Sequence, residues 1–248
     1  MSFAHGSQIR VLLNELEVSS EISGARVTHQ RAMSDVTTVG QTAGAAGSKF
    51  IPGLMSGSVG LRGPVQSDHT QGIASEIQWM IGVDNDFVLT VLPNQDNVGR
   101  PAFFMVGDTD EYAIDAAVAD AVGMTFNAQA DESVDMGFVL VPLSAITADA
   151  LTGTAVDRGA SPITPTTHGL MAAVHVTAFS GFSGVVVKVQ HSADNSSWSD
   201  LATFTTITGT GAERIKVADG TTVNRYLRAS VDVTGTGSVT LLVAAAPR

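Results

Sequence analysis

Apolar and polar positions alternate with a period of two along most of this chain. In "IRVLLNELEVSSEI" Ile9, Val11 and Leu13 share one face, in "SVGLRGPV" Val59, Leu61 and Val65 do, and "FVLTVLP" is a short apolar run stopped by Pro93. Successive side chains of an extended strand point to opposite faces, so each stretch predicts a β-strand. "RPAFFMVGD", "EYAIDAAVA", "VGMTFNAQA" and "DMGFVLVPLS" predict four more, with turn signals at 94–99 and 107–110. One segment departs from this period: "TQGIASEIQWMIGVDND" has Ile73, Ile77 and Met80 or Ile81 at spacings of three and four, with Thr70 placed to cap and Gly82 to stop. It predicts a single helix of about three turns, with Trp79 packed in a core or an interface.

The stretch "SAITADALTGTAVDRGASPITPTTHG" then loses periodicity and collects small residues, which predicts a linker. From Leu170 the pattern changes to short strands with frequent turns. Val185, Val187 and Val189 alternate with Val186, Lys188 and Gln190, and Trp198 follows a polar turn, placed to plug a core. The glycine-threonine strings "TGTGAE" and "TGTGSV" predict hairpin turns, because glycine tolerates positive φ. The expectation is an all-β chain in three parts: a first unit over 1–150, a linker over 151–165, and a β-sandwich of about 80 to 90 residues over 166–248.

Charge supports a division near that point. Residues 1–155 hold 18 acids against 6 Lys plus Arg, net −12, whereas 156–248 hold 6 acids against 7, net +1; together they give the −11 of the chain. An acidic unit is unsuited to gripping nucleic acid, because phosphate binding relies on cationic side chains. The composition, 44% hydrophobic and 15% charged, argues for a folded core rather than disorder. The absence of cysteine excludes disulfides and thiolate zinc sites. The opening residues predict no secretory leader, no run reaches the roughly 18 apolar residues of a spanning helix, and the sequon Asn195-Ser196-Ser197 reads as a turn.

Catalytic patterns are missing. The six histidines form no H-x-x-x-H pair, and His175 and His191 are expected to be satisfied structural residues, facing each other across a sheet. "VDNDF" and "GDTDEYAID" fail as calcium loops. Counting from Asp84, the sixth position is Leu89 where glycine is needed and the twelfth is Gln95 where glutamate is needed, so solvated turns are expected. Neither a phosphate loop nor a G-x-S-x-G elbow is present. No enzyme activity, cofactor or metal is expected.

The stretch "SDVTTVGQTAGAAGSKFIPGLMSGSVGLRG" resembles the N-terminal region of major tail proteins of long non-contractile-tailed bacteriophages, in which a D-x-T-x-[FV]-G segment and a loop precede an "hPGLxxGSVxLxG" strand. The resemblance is carried by Asp35, Thr37, Thr38, Val39 and Gly40, then by Phe50, Ile51, Pro52, Gly53, Leu54, Gly57, Ser58, Val59, Leu61 and Gly63. It covers the chain from Gln8 to about Leu143.

The resemblance implies a tail-tube β-sandwich or barrel with one α-helix, assembling as stacked hexameric rings, and an immunoglobulin-like outer domain after it. It also implies the partners: further copies of the chain, a tape measure protein in the lumen, tail terminator and distal tail proteins, and DNA that passes without specific binding. The expected location is the virion tail, assembled in the host cytoplasm without a membrane. The loop Gln41, Thr42, Ala43, Gly44, Ala45, Ala46, Gly47, Ser48 and Lys49 is too small-featured to build its own core, so it is expected to order against a neighbouring subunit or ring. Pro52 and Gly53 are expected to set the turn that returns the chain to the sheet. The acidic first unit would then line the lumen and repel DNA phosphates. The other reading of the chain is a capsid-decoration or glycan-binding module, with Trp198 as an exposed platform.

Overall fold

The structure, a computed structural model, describes residues 8–35, 50–65, 73–74, 80, 86–116, 122–147, 150–159 and 164–248. Its fold is all-β. The strands are β1 (Arg10–Leu13), β2 (Leu16–Glu17), β3 (Gly24–Asp35), β4 (Phe50–Pro64), β5 (Phe87–Leu92), β6 (Pro101–Asp115), β7 (Gly123–Ala130) and β8 (Asp135–Ile146). Then come β9 (Ala150–Thr152), β10 (Val156–Asp157), β11 (Leu170–Ser192), β12 (Ser199–Thr203), β13 (Gly211–Val217) and β14 (Tyr226–Pro247). The main path of pairing runs β12-β11-β14-β8-β6-β5-β1-β2, and a branch leaves β6 through β7 and β4 to β3.

Strict alternation sorts the side chains into three apolar layers. Val11, Leu13, Phe87, Leu89 and Val91 point into a first core with Val59, Leu61 and Phe126. Their neighbours Leu12, Val88 and Leu92 point the opposite way, into a middle layer with Phe104, Met171, Ala173, Leu242 and Ala244. The other faces of β11 and β14 supply Val174, Val185, Val187, Leu241 and Val243 to a third core. β5 is therefore buried along its whole length, which explains its unbroken apolar run. The middle layer cements the first unit to the C-terminal strands; each large side chain there contributes about 1.5–3 kcal/mol by leaving water.

Several expectations change. The turn expected at 107–110 is the middle of β6, where the pairing with β7 shifts register between Thr109 and Glu111. The string Thr234 to Gly237 likewise lies inside β14, not in a hairpin; it faces a shifted stretch of β11 around Phe182, with Gly181 at φ 80° and Gly235 at φ 94°. Register shifts at glycines run through two long strands where the sequence suggested short strands with turns between them. The other string, Thr208 to Gly211, does lead from β12 into β13.

The stretch expected as a linker carries β9 and β10, both paired with β14. The helix expected over 70–82 falls, except for Ile73, Ala74 and Met80, outside the described residues; Ile73 and Met80 are buried in the first core. Trp79 lies outside them too. "IRVLLNELEV" is not one strand but β1 and β2 folded back at Asn14, whose φ is 49°.

Candidate assembly surface

β4 pairs with β7 only from Ser58 to Pro64, so Phe50 to Gly57 is held by β3 alone. The two strands run on as a ribbon beyond the body of the sheet, and an unsupported two-stranded ribbon is marginal in water. Its side chains are nonetheless apolar: Met33, Phe50, Ile51, Leu54 and Met55 are all exposed, Leu54 by 88%. Isolated exposed apolar residues are ordinary, whereas five on one ribbon, spread over both its faces, are suited to burial against a partner.

The base of the ribbon is well anchored. Gln129 Nε2 donates to Gly57 O at 2.8 Å, and His29 Nδ1 lies 3.3 Å from Val134 O, which makes this nitrogen the donor. A Cβ on Gly57 would stand 2.7 Å from Val134 N, so this close crossing requires glycine. Further out, Arg31 Nε donates to Gly53 O at 3.2 Å.

Beside the ribbon is a cleft of about 1060 Å³ whose lining includes the apolar Leu54, Met55 and Met136 together with the charged Arg31, Glu132 and Asp135. Met136, at 61% exposure, adds a further apolar side chain. The cleft's floor is tied to the C-terminal strands by ion pairs. Asp135 Oδ2 accepts from Arg214 Nε at 2.8 Å, with Nη2 at 2.7 Å, and both side chains are largely buried. Glu132 meets Lys216 at 2.7 Å and Arg248 at 3.4 Å. The hydrogen bond from Lys216 is the main cause that holds the Glu132 carboxyl below its ordinary range.

A second acidic group joins three elements: carboxylate oxygens of Asp86, Asp108 and Asp131 lie within 4.8 Å of one another. Burial, then the charges of Asp86 and Asp108, push the Asp131 carboxyl up, and Arg214 only partly offsets this.

The histidines are structural. His175 is fully buried in the middle layer, with Nδ1 2.7 Å from Asn14 O and Nε2 2.7 Å from Thr90 Oγ1. His191 lies sixteen positions along the same strand, accepts the Asn224 N–H through Nδ1 at 3.3 Å, and does not face His175. Trp198 does not plug the core: it is half-buried at the rim, and the Arg228 guanidinium covers its ring at 4.1 Å. Asn195, at φ 61°, occupies a turn in which Asp194 Oδ1 accepts the N–H groups of Ser196 and Ser197.

Of the residues singled out in the sequence, Asp35, Pro52, Gly53 and Leu54 lie on the exposed ribbon, Gly57 sits at its base, and Val59 and Leu61 are in the first core. Thr37, Gly40 and the loop 41–49 fall outside the described residues. Pro52 and Gly53 do not form the expected turn; they are strand residues paired along β3, with a register shift opposite Ala32. Met33, Met55 and Met136 were missed, as was the Glu132–Asp135–Arg214 group. "FIPGLM" did carry a signal, since its apolar residues occupy both faces of a strand.

No family model matches the chain, and no curated protein does. Among solved structures it is similar to a chain in the virion of a native gene transfer agent particle, with TM-score 0.44 and 9% identity over 54% of this chain and 98% of the other. It is similar to the SPP1 tail tube, with TM-score 0.42 and 10% identity over 53% and 78%. The SPP1 Dit protein, described as a hub of the adsorption apparatus, is similar over 96% and 98%, with TM-score 0.37 and 11% identity. No helix among the described residues is long and apolar enough to cross a membrane.

Proposed function

We propose that this chain is a structural subunit of a bacteriophage tail, the major tail tube protein, forming stacked hexameric rings around a lumen for the tape measure and DNA. The observation that carries the reading is the ribbon of β3 and β4. Part of the stretch that resembles the tail-tube pattern, Asp35 and Phe50 to Leu54, lies on it, and its exposed Met33, Phe50, Ile51, Leu54 and Met55 are suited to a protein surface that covers them. Copies of the same chain supply that surface, and joining strands around a ring would remove the open edge of β3, a liability for aggregation.

In this reading residues 1–150 form the tube, 166–248 form an outer domain, and 151–165 pass between them. The loop 41–49, which follows β3 and precedes β4, meets a neighbouring ring. The net −12 of residues 1–155 keeps the lumen acidic, so that DNA slides without adhering. A lumen lined mainly by Lys and Arg would overturn this last point.

The deciding experiment is negative-stain electron microscopy of the purified protein over a concentration series, with its solution mass measured alongside. Hollow rings or tubes are expected. A monomer or trimer that never forms rings, even with its tail partners added, would reject the reading in favour of a decoration or glycan-binding module.

A further inference from the structure

The branch sheet ends in two open edges. Among the described residues β3 pairs with β4 alone, and β6 beyond Gly107 pairs with β7 alone, because β5 begins at Phe87, opposite Gly107. No proline interrupts Gly24–Asp35 or the stretch 108–115, so both edges present unpaired backbone donors and acceptors. Each strand of the branch is antiparallel to its neighbour, so β3 runs opposite to β6. A second copy set beside β3 in the same orientation therefore meets it with an antiparallel β6.

The registers place Arg26, Gly60, Asn127 and Glu111 in one row across the sheet, and Ala25, Leu61, Phe126 and Tyr112 in the next. The second row belongs to the first core, so the first row lies on the opposite face. On the core side β3 offers Ala25 and Val27 at its edge, and β6 offers Tyr112 and the exposed Ile114. On the polar side β3 offers Arg26. A Cβ on Gly24 would stand 2.8 Å from Arg62 Nε, so glycine there lets a second guanidinium lie across β3. Among the described residues neither guanidinium has an ion-pair partner. On the same face β6 offers Asp108, Glu111, Ala113 and Asp115. Glu111 accepts only the Asn127 amide, at 2.7 Å. Over its whole length β3 carries Arg26, His29, Arg31 and Asp35, whereas 108–115 carries Asp108, Asp110, Glu111 and Asp115 with no base.

We propose that β3 of one copy pairs with residues 108–115 of β6 in the next, setting Arg26 and Arg62 against Glu111 and Asp115, and Ala25 and Val27 against Tyr112 and Ile114. The inference rests on the tube reading and deepens it by naming the joint within a ring. With no slip between copies Arg26 stands opposite Glu111. A slip of two residues keeps every side chain on its own face and still leaves Arg26 beside a carboxylate, directly or diagonally. Like edges match poorly: β6 against β6 sets the acids of one copy on those of the other, and β3 against β3 leaves the acidic edge and Ile114 unmet. The joint is heterologous, each copy offering one edge and accepting the other, so a succession of copies can close as a ring.

Charge reversal tests it. Arg26→Glu with Arg62→Glu inverts the basic edge, and Glu111→Lys with Asp115→Lys inverts the acidic one; assembly of the full-length chains is followed by sedimentation and negative-stain microscopy. Each variant alone is expected to need a concentration higher by about tenfold or more to assemble. An equal mixture of the two, in which the variants can alternate around a ring, should recover the unmodified behaviour. The cysteine-free chain gives a second measurement that keeps both arginines. Thr28→Cys with Glu111→Cys, treated with a short bismaleimide, should yield a ladder of dimers, trimers and longer species, while each single variant stays monomeric on a denaturing gel.

Assembly of both charge variants at the unmodified concentration would overturn this inference and leave the tube reading standing. A mixture that does not recover, together with no ladder from the cysteine pair, would do the same wherever the unmodified chain forms rings. Dimers from Thr28→Cys alone would overturn it in favour of a β3-to-β3 contact. Normal assembly of the basic-edge variant, with loss of duplex-oligonucleotide binding that the unmodified chain shows, would assign the two arginines to a phosphate backbone instead. Absence of any assembly by the unmodified chain would reject the tube reading and this inference with it.

Discussion

His175 on β11 and Thr90 on β5 are joined side chain to side chain, with Nε2 2.7 Å from Oγ1, inside the apolar layer between the first unit and the C-terminal strands. The Asn14 carbonyl can only accept, so the proton resides on Nδ1 and Nε2 accepts from the threonine hydroxyl. One tautomer of the neutral ring satisfies both contacts, and no carboxylate is among the groups that shift its titration.

Burial lowers the pKa of His175 from 6.5 to about 4, while its hydrogen bond to Asn14 acts weakly in the opposite direction. The unfolded chain therefore binds the proton first on acidification. The contribution is fully present above pH 6.5 and is lost as pH falls toward 4, for a total of about 3 kcal/mol. Urea unfolding at pH 7, 5.5 and 4.5 should show this loss in the unmodified protein. His175→Gln should be less stable at pH 7 and flatter across the range; an unchanged slope would refute the assignment.

Asp135 and Arg214 form a largely buried pair between β8 and β13. Asp135→Ala leaves the buried guanidinium with only the more distant Glu132, 3.7 Å away, and also removes a partner of Arg248, so a loss of about 3 kcal/mol is expected. Replacing both, as Asp135→Leu with Arg214→Leu, removes the unpaired charge and should cost distinctly less. Denaturant midpoints of the two single variants and the double variant test this; a double loss equal to the sum of the singles would deny coupling.

Gly63 closes the resemblance-bearing strand, and a Cβ there would lie 1.7 Å from Glu21 O. Gly63→Ala must displace backbone and should lose more than about 2 kcal/mol. Gly209→Ala, where nothing stands within 4 Å, should remain within about 0.5 kcal/mol of the unmodified chain. Thermal melts of the pair check the contrast.

The crowding of Asp131 by Asp86 and Asp108 acts in the opposite sense to a salt bridge. A carboxyl whose folded pKa is raised binds its proton more readily in the folded chain, so stability falls as pH rises through that pKa. Asp131→Asn should accordingly raise the melting temperature at pH 7 by about 1–4 °C, and the gain should vanish in acid. A lower melting temperature at pH 7 would contradict it.

Alternation made most strands legible, because a residue's face is a local property. The middle layer was not legible: Leu12 fell opposite the face of Ile9, Val11 and Leu13, and "FVLTVLP" was a plain apolar run, so neither pattern shows a second core until the partners from β11 and β14 are in place. Glycine misled at Gly107 and Gly235, since the residue that permits a turn equally permits a bulge or a close crossing inside a strand. Of the candidate surface, "FIPGLM" was legible as a motif, but its exposure depends on where β7 stops pairing, which no local pattern encodes. The Glu132, Asp135 and Arg214 group and the three aspartates join distant segments, beyond the reach of any spacing rule.

β8 ends at Ile146, whereas β14, the strand that pairs with it, begins only at Tyr226. While the chain is being synthesised, the edge of β8 and the apolar faces of Leu12, Leu92 and Phe104 must wait for the later strands to cover them. A nascent chain stalled before β14 therefore has no finished first unit. Loss of the C-terminal strands would therefore uncover the middle layer and one edge of β8, even where those strands serve as the outer domain of the proposed tube subunit.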